Sequence, residues 1–86
     1  MSIAKIRKEI DKTDAEIVKL LEKRFELSRK AAMSKKTLAK DEKREKEIIE
    51  RVMAAVPEDM SENIGKIYEK LLAQSRQYQK KMKDKQ

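Results

Sequence analysis

Between residues 3 and 40 the chain has neither glycine nor proline, and its apolar side chains recur at helical spacing: Ile3, Ile6, Ile10, Ile17, Leu20, Leu27 and Ala31. The spacing predicts one helix from about Ser2 to about Lys36. At a rise of 1.5 Å per residue it would be roughly 50 Å long. A compact globule of 86 residues would measure only about 30 Å across. A helix of that length cannot bury its stripe against the short remainder of its own chain. It needs a second copy, so the stripe predicts a homodimer.

The rest of the chain holds two shorter helices. Ile48, Ile49, Val52 and Met53 mark one from about Asp41 to Ala55, ended by Pro57, because proline disfavours helix at the residue before it. Ser61 is a good N-cap for a third, and Asp59 and Glu62 suit its positive end. This helix carries Ile64, Ile67, Leu71, Leu72 and Met82 to about Lys83. The expectation is an all-α chain of three helices, one long, one short and one medium, forming one domain over residues 1–86.

Residue usage narrows the chemistry. With no cysteine and no histidine, the chain lacks thiolate ligands, disulfides, the usual general base and the commonest metal ligand. Lys, Arg, Asp, Glu, Ser, Gln and Tyr remain. A net charge of +7 suggests an anionic partner. One Phe and two Tyr offer little for stacking bases, which argues against single-stranded nucleic acid. No apolar run has the length of a membrane span. Charges interrupt Met1-Ser2-Ile3-Ala4-Lys5-Ile6-Arg7, so it does not read as a secretion signal and the expected compartment is the cytoplasm.

The informative residues are polar ones inside apolar stripes. At about 100° per residue, Arg24 and Lys35 both fall at the centre of the first helix's stripe. Burying two cations on an apolar face is costly without counter-charges. Arg7 points about 100° away from Arg24 and would more easily serve a partner chain's pocket. On the second helix Glu45 and Asp41 extend the Ile48/Val52 stripe, with Arg44 on its edge. On the third, Ser75 lies within the stripe and Gln79 on its border. Each has an ordinary explanation alone: a snorkelling cation, an N-cap at Asp41, a small core residue at Ser75. Together they interrupt the core face of every helix in a chain with little core to spare.

These residues, in this order, resemble the all-helical class of chorismate mutase, including the mutase domain of chorismate mutase–prephenate dehydratase proteins. The resemblance covers nearly the whole chain. Ile6-Arg7-Lys8-Glu9-Ile10-Asp11 with Asp14 resembles the family's opening Arg-x-x-Ile…Asp pattern. Leu20-Leu21-Glu22-Lys23-Arg24-Phe25-Glu26-Leu27 is similar to its Leu-Leu-x-x-Arg-x-x-Leu, and Lys35 follows at the expected interval. Asp41-Glu42-Lys43-Arg44-Glu45 fits Asp-x-x-Arg-Glu, and Ser75-Arg76-Gln77-Tyr78-Gln79 fits the closing Ser-x-x-x-Gln. The segment Lys36-Thr37-Leu38-Ala39-Lys40 departs, being shorter than the family's usual loop and without proline.

The resemblance implies an intertwined homodimer that converts chorismate to prephenate in aromatic amino-acid biosynthesis. It implies no cofactor, no metal, and no nucleic-acid or membrane partner. It assigns Arg24 and the partner subunit's Arg7 to the substrate's two carboxylates, with Ser75 assisting. Lys35 and Gln79 would donate to the ether oxygen. Glu45 would accept from the ring hydroxyl, with Asp41 and Arg44 lining that end. Two other classes stay open on sequence alone. A nucleic-acid-binding dimer predicts salt-dependent retention on DNA or RNA. A purely structural bundle predicts that apolar residues at positions 24 and 35 stabilise the fold at no functional loss.

Overall fold

The computed structural model describes residues 2–34 and 40–85. It contains three helices: α1 (Ile3–Met33), α2 (Glu42–Ala54) and α3 (Glu58–Asp84). Among the described residues there is no strand.

Local chemistry explains the ends of each helix. Ser2 caps α1, its side chain accepting from the Lys5 amide at 3.3 Å. At the other end the Ser34 amide donates to the Ala31 carbonyl, and Lys83 Nζ reaches from α3 to the Ala32 carbonyl at 3.1 Å. A lysine there satisfies an orphan carbonyl and complements the negative end of the helix dipole. Asp41 caps α2, accepting from the Arg44 amide at 3.0 Å.

α3 begins at Glu58, one turn earlier than Ser61 would have it. Pro57 sits at φ −57° with extended ψ, just ahead of the first helical residue, and Glu58 and Asp59 supply the acidic first turn. Ser61 lies inside the helix and does not cap it. Its hydroxyl donates to the Met53 carbonyl at 3.1 Å, tying the start of α3 to the end of α2.

α3 is the central element and packs on both α1 and α2, which do not pack directly on each other among the described residues. Gly65 of α3 is buried where α2 comes close. A Cβ there would lie 2.8 Å from Met53 Sδ, so glycine sets the spacing of the two helices. On the other side, Phe25 of α1 meets Tyr78 of α3 edge to face at 5.5 Å between centroids.

Among the described residues the core is small: Ala32, Ile48 and Leu72, with one polar residue, Ser75, buried beside them. Residues 2–20 are exposed throughout. The α1 stripe therefore forms as a helical face that the described residues leave largely uncovered; Ile3 and Leu20 are 61% and 66% exposed. The C-terminal part of α1 is held by α3, through Phe25, Ser28 and Ala32. The molecule measures 52 × 27 × 14 Å, with a radius of gyration of 15.8 Å. A compact domain of this length would have about 12 Å.

Candidate active site

Where the C-terminal half of α1, the start of α2 and the middle of α3 converge, they enclose a concavity of about 190 Å³. α1 contributes Arg24, Ser28 and Ala31. Lys40, Asp41, Arg44, Glu45 and Ile48 come from the start of α2 and the residue preceding its cap. α3 contributes Leu72, Ser75, Arg76 and Gln79. Leu72 and Ile48 form an apolar floor, and the polar groups ring it.

Six of the eight residues singled out in the sequence line this space: Arg24, Asp41, Arg44, Glu45, Ser75 and Gln79. Arg24 is half-buried, its guanidinium carbon 6.0 Å from the centre of the Tyr68 ring, the outer limit of a cation–π contact. Ser75 is 5% exposed, and its hydroxyl donates to Ser28 Oγ at 2.9 Å. Gln79 donates one amide hydrogen to the Ser28 carbonyl at 2.9 Å. A carboxamide has two such hydrogens, so one donor remains. Asp41 serves as an N-cap and as part of the lining at once.

Two of the eight stand apart. Arg7 is exposed on the projecting part of α1. It lies seventeen residues from Arg24, about 25 Å along the helix, and does not line the concavity of its own chain. Lys35 lies outside the described residues.

Two participants escaped the sequence reading. Ser28 follows Arg24 by one turn and gathers both Ser75 and Gln79. Arg76 grips Glu45, with Nη1 2.5 Å from one carboxylate oxygen and 2.6 Å from the other. A signal for Arg76 was available: it follows Leu72 by four residues and precedes Gln79 by three, so it shares their face.

Among the described residues the lining carries four cations, Arg24, Lys40, Arg44 and Arg76, against two carboxylates, Asp41 and Glu45. The balance, four minus two, is +2. Such a site suits a small dianion: forked cationic donors for carboxylates, a neutral amide donor and a hydroxyl, with neither a nucleophilic thiol nor an imidazole. The sequence model of the chorismate mutase type II family matches residues 6–80.

The chain belongs to that family. The matched span runs past both ends of the site, from before Arg7 to beyond Gln79. Neither a curated protein nor a solved structure matches the chain significantly. Chorismate mutases are intramolecular isomerases that convert chorismate to prephenate by a Claisen rearrangement, in which an ether C–O bond breaks as a C–C bond forms. The reaction needs a compact conformer of a flexible dicarboxylate and stabilisation of negative charge growing on the ether oxygen.

Proposed function

We propose that residues 1–86 form one mutase domain, that it works in the cytoplasm as an intertwined homodimer, and that each concavity holds one chorismate dianion. The meeting of Arg24, Asp41, Arg44, Glu45, Ser75 and Gln79 around a single space is the observation that carries this reading. In it, Arg24 and the partner subunit's Arg7 hold the two carboxylates, assisted by Ser75. The spare hydrogen of the Gln79 amide would be donated to the ether oxygen, with Lys35 as a second donor. Glu45 accepts from the ring hydroxyl, with Asp41 and Arg44 beside it. Binding the extended substrate folded costs entropy, and fixed cations supplied by a rigid helical frame offset that cost.

Exposure supports the dimer. A compact monomer of 10.1 kDa has about 5,300 Å² of accessible surface by the usual scaling. This chain has 7324 Å². The excess of about 2,000 Å² per chain is more than a standard interface buries on one partner and falls in the range of obligate homodimers. The apolar α1 stripe is part of this exposed surface, and Arg7 sits on the same projecting segment.

The test is direct. Purified protein mixed with chorismate should remove the conjugated-diene absorbance of the substrate, and Arg24→Ala should abolish the loss. A folded parent protein that leaves chorismate untouched would overturn the assignment.

A further inference from the structure

The contact between Glu45 and Arg76 is the strongest polar link across α2 and α3, and none of the roles proposed above uses Arg76. One nitrogen, Nη1, holds both oxygens of the Glu45 carboxylate. The pair is neither loose surface decoration nor sealed away, with side chains 17% exposed for Glu45 and 35% for Arg76. It forms a wall. On its inner side is the concavity with Arg24, Ser75 and Gln79. On its outer side is a second, open groove that the pair shares with Glu42, Glu50 and Glu69 and two lysines, Lys40 and Lys46.

We infer that Arg76 is a positioning residue, which neutralises and aims Glu45 so that this carboxylate can accept a hydrogen bond from a hydroxyl of a dianionic substrate without repelling it. The inference rests on the functional reading above. Without Arg76 the described lining of the outer groove would hold four carboxylates, those of Glu42, Glu45, Glu50 and Glu69, against two lysines. The described lining of the inner site would lose one of its four cations, its own balance falling from +2 to +1. Glu45 would then face a dianion with no paired cation, in a half-buried place where charges are poorly screened. Both the bound substrate and the transition state carry the two carboxylates, so the repulsion acts on both alike. It should appear mainly in KM rather than in kcat. A guanidinium fixed by two carboxylate oxygens also holds Glu45 in one rotamer, so the acceptor is in place before substrate arrives.

The experiment is a double-mutant cycle on the dimeric enzyme with chorismate as substrate, using the parent, Arg76→Leu, Glu45→Gln and the double variant, with far-UV circular dichroism to confirm folding. Arg76→Leu should raise KM about tenfold with kcat changed by less than about threefold, as expected for one unmasked charge in a partly solvated site. In the Glu45→Gln background the same change should move KM by no more than about twofold, because no charge remains to be masked. Arg76→Lys keeps the cation and should hold KM within about threefold of the parent, so the inference stays testable if the leucine variant fails to fold. Equal losses from Arg76→Leu in both backgrounds would mean that Arg76 acts on the substrate or the fold directly, and would overturn the inference while leaving the mutase reading intact. A tenfold loss in Arg76→Lys would do the same. A parent without turnover on chorismate would remove the functional reading and this inference with it.

Discussion

Gly65→Ala is the sharpest test of how α2 is held against α3. In a helix interior alanine is favoured over glycine by about 0.8–1.0 kcal/mol, so on propensity alone the change should stabilise. The packing opposes it. The new Cβ would stand 2.8 Å from Met53 Sδ and 3.0 Å from its Cγ, with Cε at 3.5 Å. Ordinary contacts of this kind lie near 3.5–4.0 Å, so the middle of the Met53 side chain, not only its tip, must retreat by up to about 1 Å. Overpacking of this sort costs about 1–3 kcal/mol. The sum is a net destabilisation of about 0–2 kcal/mol. Its origin can be isolated by repeating the change in a Met53→Ala background, where the obstacle is gone and Gly65→Ala should stabilise by about 1 kcal/mol. The assay is urea unfolding of all four proteins at one protein concentration. The two Gly65→Ala effects should differ by about 1–3 kcal/mol and in sign or nearly so. If Gly65→Ala stabilises the parent as much as it stabilises Met53→Ala, the close approach at Gly65 does not limit the α2–α3 spacing and the reasoning fails.

Further outcomes follow from the site and the core. Leu72 is 5% exposed and forms the floor of the concavity; Leu72→Ala should cost about 2–5 kcal/mol and lower Tm in a thermal scan by roughly 10 °C or more, and a shift under a few degrees would show that the site collapses around the gap. A tenfold rise in protein concentration should raise Tm, since association stabilises the folded form; a Tm independent of concentration would argue against the dimer. Inactive Arg7→Ala and Arg24→Ala proteins, mixed under conditions of subunit exchange, should recover part of the activity, because one site of the mixed dimer regains both arginines; exchange without recovery would contradict the placing of Arg7 in the partner's site. Gln79→Glu should lose most activity at neutral pH and regain part on acidification. Ionised, the introduced carboxylate can neither donate to the ether oxygen nor keep the bond to the Ser28 carbonyl, while protonated it can donate again. A pH profile matching the parent's would remove Gln79 from the ether oxygen.

The polar residues that interrupt apolar stripes were the legible part of the site. Arg24, Glu45, Ser75 and Gln79 stood out because a helix fixes the direction of each side chain from its sequence position alone. Arg76 and Ser28 were passed over because each has an innocuous address. Arg76 fills a variable position of the Ser75–Gln79 motif, and Ser28 is a small polar residue in a charged stretch. Their importance comes from partners 31 and 47 residues away, Glu45 and Ser75, and no local pattern encodes such a pairing. Ser61 shows the same limit: its hydroxyl was claimed by a carbonyl eight residues earlier rather than by its own helix end.

The sequence by itself determined that this chain is helical, where the breaks fall to within a turn, and which faces are apolar, because backbone propensity, capping and 3.6-residue periodicity act over a few residues at a time. It also determined that α1 is too long for one chain to cover, which is a matter of length alone. Only the tertiary structure decided that α3 stands between the other two helices, that Gly65 sets the distance to α2, and that the Ser28 and Arg76 contacts hold Ser75, Gln79 and Glu45 in place. Those outcomes depend on which surfaces meet, and the free energy of a contact between distant residues exists only once the fold has brought them together.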